Sequence, residues 1–204
     1  SDFVVAKQPG SGELLMPGMR LRKTAADNAL YPLNGDRLEG SIRLASDQLV
    51  SSTDFAQLTL GYKGIRPLFG GRLLSRLNLG SSSAGDFDEL PASLRFFAGG
   101  DGSVRGFDYK TLGPLNEQGE VLGGLHLITA SLEVDHLIVN DSWSIAAFVD
   151  TGNAFNDWED LSLYTGAGVG VRWHSPIGPV RLDVAQDVSG EESLRWHLSM
   201  GLDL

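Results

Sequence analysis

Leu194-Arg195-Trp196-His197-Leu198-Ser199-Met200-Gly201-Leu202-Asp203-Leu204 ends the sequence with an unbroken period of two. Leu194, Trp196, Leu198, Met200, Leu202 and Leu204 share one parity, and Arg195, His197, Ser199, Gly201 and Asp203 share the other. Successive side chains of a strand point to opposite faces, so the stretch predicts a strand that is apolar on one side only. Its length suits a tilted strand crossing a bilayer, which takes about 9–11 residues.

The same pattern recurs upstream. Val180, Leu182 and Val184 alternate with Arg181, Asp183 and Ala185. Ala167, Val169, Val171 and Trp173 alternate with Gly166, Gly168, Gly170 and Arg172. Trp143, Ile145, Ala147 and Val149 alternate with Ser144, Ala146, Phe148 and Asp150, and Ile128, Ala130, Leu132 and Val134 alternate with Thr129, Ser131, Glu133 and Asp135. The connections alternate too. Ser175–Gly178 and Val139–Asp141 are short, Asn153–Leu161 is longer and acidic, and Ser81–Gly124 is much longer. Short turns at one end and long loops at the other are the mark of an outer-membrane barrel. The N-terminal half is less regular, with candidate strands at Phe3–Gln8, Leu14–Lys23, Arg37–Ser46, Phe55–Gly64 and Arg72–Gly80; Pro9 and Pro17 weaken the first two. The reading is all-β, a transmembrane antiparallel barrel of about ten strands. A soluble β-sandwich or barrel also alternates. Against it, the second face carries tiny or polar residues rather than a solvated lysine and glutamate surface, and Trp143, Trp173 and Trp196 sit near strand ends, as interface residues do.

Composition narrows the function. The 204 residues are 42% hydrophobic and 21% charged, which is globular rather than disordered. No apolar run approaches the length of about 18 residues that a membrane helix needs. With no cysteine there are no disulfides, thiolate nucleophiles or cysteine metal sites. A net charge of −10 argues against nucleic-acid binding. Ser1-Asp2-Phe3 lacks the basic and apolar regions of a signal peptide, predicting a processed precursor or an internal fragment.

Several motifs resemble chemistry without supporting it. Asp150-Thr151-Gly152 spells the aspartic-protease triplet, but that reaction needs two carboxylates sharing a proton, and the triplet occurs once. Gly166, Gly168 and Gly170 lie in a strand pattern with no helix following, so they are no dinucleotide fingerprint; close approach of another backbone suits them better. Gly99-Gly100-Asp101-Gly102 lacks the lysine of a phosphate loop, and the histidines at 126, 136, 174 and 197 have no metal-ligand spacing. No catalytic residue, metal site or cofactor is expected.

Three motifs together carry a resemblance. Val104-Arg105-Gly106-Phe107 lies in the long loop, Phe148-Val149-Asp150-Thr151-Gly152-Asn153 follows, and Ser175-Pro176-Ile177-Gly178-Pro179-Val180-Arg181-Leu182-Asp183 comes after it. In this order they resemble the outer-membrane assembly-factor superfamily, also called the bacterial surface antigen family. The phrase Arg95–Lys110 and the ending at Leu204 are most similar to its TamA branch, the outer-membrane subunit of the translocation and assembly module. The motifs span roughly residues 94–204.

The resemblance implies a barrel of about sixteen strands preceded by periplasmic POTRA domains, of which residues 1–204 are the C-terminal part without the POTRA domains and first strands. The extracellular loop 81–124 then folds into the lumen. Val104, Arg105, Gly106 and Phe107 form the contact at its tip, with Glu133 and Asp150 as lumen partners; alternation puts both carboxylates on the face away from lipid. Function is implied to be non-enzymatic: insertion of outer-membrane proteins and secretion of autotransporters through a seam whose edge is the strand of Leu194, Trp196, Leu198, Met200, Leu202 and Leu204. The implied partners are outer-membrane lipid, a TamB-like protein spanning the periplasm, and unfolded outer-membrane or autotransporter clients, with no nucleic acid. Alternatives within the family are a general barrel-assembly subunit or a two-partner secretion exporter. Outside it stand a small outer-membrane channel and a surface enzyme barrel.

Overall fold

The computed structural model describes residues 4–6, 14–45, 54–85, 87, 90–139, 142–188 and 193–204. β1 (Val4–Ala6) and β2 (Leu14–Met16) form a small antiparallel sheet of their own. β3 (Gly18–Ala26), β4 (Gly35–Ala45), β5 (Phe55–Leu68), β6 (Gly71–Ala84), β7 (His126–Val139), β8 (Trp143–Phe155), β9 (Tyr164–Ser175), β10 (Gly178–Asp187) and β11 (Arg195–Met200) follow. These nine form one sheet in chain order, each strand antiparallel to its neighbours. The chain is all-β, and the sheet is part of an antiparallel barrel. Its edges are β3 and β11, which no ladder joins among the described residues.

The alternating segments fold as period two requires. In β8, Trp143, Ile145, Ala147 and Val149 are exposed while Ser144, Ala146, Phe148 and Asp150 are buried. The exposed set continues round the sheet through Leu21, Leu38, Leu58, Leu77, Leu132, Val169, Leu182 and Leu198. A wall this apolar has no place in water, and it matches the outer band of a transmembrane barrel. Trp143 and Trp173 stack at the short-turn end, centroids 6.3 Å apart, and Trp196 stands at the opposite end of the wall. Inward, the wall is polar: Gln57, Arg72, Thr129, Ser131, Glu133, Asp135, Asp150, Arg172 and Asp183 are all buried.

Several boundaries differ from the sequence reading. Leu14–Lys23 is two strands, because Pro17 has no N–H to donate; its carbonyl instead accepts from Leu44 N at 3.1 Å. β6 runs past Gly80 to Ala84, so the long loop is residues 85–125. The last strand stops at Met200, where Gly201 takes a φ of +151° and turns the chain inward, leaving Leu202 and Leu204 outside the ladder. Of the Phe3–Gln8 segment, Phe3 and residues 7–8 lie outside the described residues, as do Ser46 and the turn at 140–141.

The facing assignment has a direct check. Nitroxides at Val169, Leu182 and Leu198 are expected to be accessible to oxygen in lipid, whereas labels at Asn78 and Ser199 are accessible to a water-soluble relaxation agent. The reverse order would place the apolar face inside and remove the barrel reading.

Candidate functional site

The loop between β6 and β7 is packed into the lumen. Arg95 holds its base: Nε donates to Leu90 O at 2.8 Å, and Nη2 to Phe87 O at 3.0 Å. Phe96 pairs with Gly124, Ala98 with Leu112 and Leu115 with Val121, so the loop is a ladder of single bridges. Ala98, Val104 and Leu112 form its core, with Phe107 and Leu127 packed against them. The arrangement presents residues 104–106, all buried, at its tip.

Arg105 has its full donor set engaged. Nε donates to Asp150 Oδ2 at 2.7 Å, Nη2 to Asp150 Oδ1 at 3.0 Å, and the backbone N to Asp150 Oδ2 at 3.1 Å. Nη1 donates to Glu133 Oε2 at 2.7 Å and to Asp183 Oδ2 at 3.0 Å. The guanidinium lies 3.3 Å over the Phe148 ring. Arg172 completes the set from β9, donating to Glu133 Oε1 at 2.9 and 3.1 Å and to Asp183 Oδ1. Two guanidiniums thus bridge three carboxylates, and every one of these side chains is under 10% exposed. The planar fork suits this task in a way that an ammonium does not, because one cation meets carboxylates on three strands at fixed angles.

Small residues let the tip come so near the wall. Gly166, Gly168 and Gly170 share the inward face of β9. A Cβ on Gly166 would collide with the Arg105 carbonyl, while Cβ atoms on Gly168 and Gly170 would meet Phe148, Asp183 and Arg172. Gly106 has a φ of +96°, and a Cβ there would lie 2.7 Å from Gln186 O on β10. Phe107 leaves the tip edge-on to Tyr164, centroids 5.7 Å apart.

The tip also touches the edge strand. Gly106 N donates to His197 Nε2 at 3.2 Å, Arg195 Nη1 donates to Gly106 O at 2.7 Å, and His197 Nδ1 pairs with Asp101. On the other wall Arg76 Nη2 donates to Ser103 O at 3.1 Å. The structure therefore brings Arg105, Glu133 and Asp150 together and adds Asp183, Arg172, Arg195, His197 and Arg76, which sequence reasoning had not singled out. Parity was the available signal for them, since each lies on the inward set of its strand. Leu194, Trp196, Leu198 and Met200 take no part in the clasp. All four are exposed, and the last three form the outer face of β11, which among the described residues pairs on one side only, with β10. The protease-like triplet is accounted for here too, since both oxygens of Asp150 are occupied by Arg105.

The family model described as the Omp85 superfamily domain matches residues 7–204. The chain belongs to the Omp85 superfamily. Like its relatives, this Omp85 chain is an outer-membrane barrel protein. It is 24% identical over 213 residues to the outer membrane protein assembly factor BamA of Nitratidesulfovibrio vulgaris (strain Hildenborough), covering 97% of this chain and 26% of that relative. It also superposes on the crystal structure of BamA from Haemophilus ducreyi lacking POTRA domains 1–3, with a TM-score of 0.74 and 21% identity over 93% of this chain and 41% of that one. This Omp85 chain thus spans about a quarter of the curated relative that it matches.

Proposed function

We propose that this chain is the C-terminal barrel portion of a non-enzymatic outer-membrane assembly factor, and that client strands are added at the free edge of β11. The observation that carries the reading is this edge. β11 has six paired residues on its β10 side and, among the described residues, no ladder to the backbone N–H and C=O groups of its other side. Such groups cannot be left unsatisfied in a bilayer, so the edge seeks another strand. A client that forms a strand there satisfies itself and the edge at once. In this reading the loop clasp is the rigid support of the edge, since Arg195 and His197 of β11 hold the tip together with Asp183 on the neighbouring β10, Asp150 on β8 and Glu133 on β7.

The test uses the full-length protein in proteoliposomes with an unfolded outer-membrane client. A photo-reactive residue at Leu198 or Ser199 is expected to cross-link the client during insertion, and one at Leu60 or Thr59 in the middle of the sheet is not. Equal capture at both places would remove the edge as the working surface.

The finer assignment, a TamA-like secretion factor for autotransporters with a TamB-like partner, is supported by the phrase Arg95–Lys110. The BamA relative favours general barrel assembly. Affinity purification of the full-length protein from its native envelope separates them: a periplasm-spanning TamB-like protein accompanies the first, and barrel-assembly lipoproteins the second. The reading includes POTRA domains and further strands before this portion, completing a barrel of about sixteen.

A further inference from the structure

Inward parity divides the lumen wall by charge. Strands β7–β10 turn Glu133, Asp135, Asp150 and Asp183 inward, and these carboxylates are all taken. Arg105 and Arg172 hold three of them in the clasp. In a second ion cluster Arg72 pairs with Asp135 and Asp203, and Arg181 pairs with Asp203. Strands β3–β6 are the reverse. Besides Arg72, their inward set carries Arg20, Arg22, Arg37, Arg43, Lys63 and Arg76, and Glu39 is its one carboxylate among the described residues. Glu39 is already shared. Its Oε2 accepts from Arg22 Nε at 3.0 Å and from Arg37 Nη2 at 2.7 Å, and Arg20 Nε lies 3.4 Å from Oε1.

Three of these cations stand in one rung. The register sets Arg37 of β4 opposite Lys63 of β5, and Lys63 opposite Arg76 of β6. Like charges directly opposite on neighbouring strands destabilise a sheet, and a partly enclosed lumen screens them less than open solvent does. Among the described residues neither Lys63 nor Arg76 has a carboxylate in its contacts. Lys63 Nζ donates to the Asp203 carbonyl at 3.0 Å, and Arg76 Nη2 to the Ser103 carbonyl at 3.1 Å. An ammonium has three donors, so Lys63 keeps others available. Arg76 Nε is buried with no acceptor. Lys63 also lies between two cavities. Arg37, Lys63, Thr59, Asn78 and Ser103 border one of about 420 Å³, while Lys63 and Arg76 border the smaller one of about 110 Å³ beside the clasp.

We propose that Arg37, Lys63 and Arg76 form a lumen site for a tetrahedral oxyanion of the phosphate class, seated at Lys63 in the larger cavity. A dianion offsets the repulsion along the rung. It also brings several acceptor oxygens to the remaining N–H groups of Lys63 and to the Arg37 guanidinium, which a halide does not. Arg76, held at Ser103, adds its charge from the neighbouring strand. The site lies on β4–β6, remote in the sheet from β11, and stands whether or not clients enter at that edge.

The experiment is equilibrium dialysis of the full-length protein in nanodiscs against radiolabelled inorganic phosphate, with chloride holding the ionic strength constant. The parent is expected to show one saturable site per chain. Lys63→Met is expected to weaken binding about tenfold, the loss of one charged hydrogen-bond donor. Arg76→Gln is expected to weaken it about threefold, and serves if Lys63→Met does not insert. Arg66→Gln is the control: that cation is on the outward set, already paired with Asp36, and its loss should leave binding unchanged. Lys63→Glu gives a readout that a merely structural lysine would not. It sets a carboxylate between Arg37 and Arg76, so phosphate binding is lost while the Tm in phosphate-free chloride rises to that of the parent with phosphate. No saturable binding by the parent would overturn the site, as when a carboxylate from elsewhere in the full-length chain already sits on the rung. Parent-like binding in Lys63→Met, or in Arg76→Gln in the event named, would overturn it too.

Discussion

Replacing Arg105 by alanine in the full-length protein is expected to release the lumen loop and to abolish most of the proposed assembly activity. The substitution strands Asp150, Glu133 and Asp183 with Arg172 as the remaining guanidinium in contact with the cluster. Removing one partner of a well-desolvated ion pair costs roughly 3–5 kcal/mol, because the charges left behind stay buried. A polar cavity of about 110 Å³ beside the cluster admits water and lowers that figure. The expected loss is therefore about 2–3 kcal/mol of barrel stability. Arg105→Lys is expected to recover only part of it, because an ammonium cannot take Asp150 with a fork while reaching Glu133. Double-mutant cycles of Arg105→Ala with Asp150→Asn and with Glu133→Gln should each show coupling above about 1 kcal/mol. Strict additivity in both cycles would mean that the clasp contributes nothing. The second readout is proteolysis: a protease that spares the parent loop is expected to cut the Arg105→Ala loop near Lys110.

Gly166→Ala is the second large effect, and it leaves the charges alone. The added methyl falls on the Arg105 carbonyl, at a separation that neither backbone tolerates. Overpacking a fixed site costs about 1–3 kcal/mol when the neighbours can shift, and here the neighbour is the backbone of the loop tip itself. The loop is therefore expected to leave the wall, with loop proteolysis and activity loss like those of Arg105→Ala. Gly102→Ala is the control. It lies three residues before Arg105 in the same loop, but a Cβ there meets nothing within 4 Å, so its effect should stay within about 0.5 kcal/mol. Equal sensitivity at 166 and 102 would show that the loop merely resists substitution anywhere, and that its seat against β9 is not specific.

The two substitutions probe different layers of legibility in the sequence. Arg105, Glu133 and Asp150 were within reach of parity plus the family motifs. Parity identifies which carboxylates face inward, and the motif identifies which loop arginine comes to meet them. Asp183 and Arg172 lie on the same inward parity, yet nothing local distinguishes them from Arg181 or Asp135, which serve the other ion cluster. The division between the clusters depends on how far along the barrel axis each residue sits, and hence on the registers Asp183↔Gly170 and Arg72↔Asp135. Gly166 was legible as a site of close approach, but the backbone that approaches it belongs to a residue 61 positions earlier in the chain, as the two residue numbers show.

The family motif gave the arginine of the loop tip, and the connection lengths gave the short-turn and long-loop ends; the residue pattern itself determined the all-β class and the inward and outward sets of the regular strands. These follow from a local rule: a period of two assigns each side chain to a face whatever lies beyond. Only the tertiary structure decided where β11 stops. Alternation continues through Leu204, and by local pattern alone the strand would run to the end. Asp203 is drawn inward by Arg72, Arg181 and Lys63, residues 131, 22 and 140 positions away in the chain. Burial of that carboxylate among cations from three strands outweighs a few further ladder bonds at an open edge. Contacts of such long range leave no period in the sequence to be read.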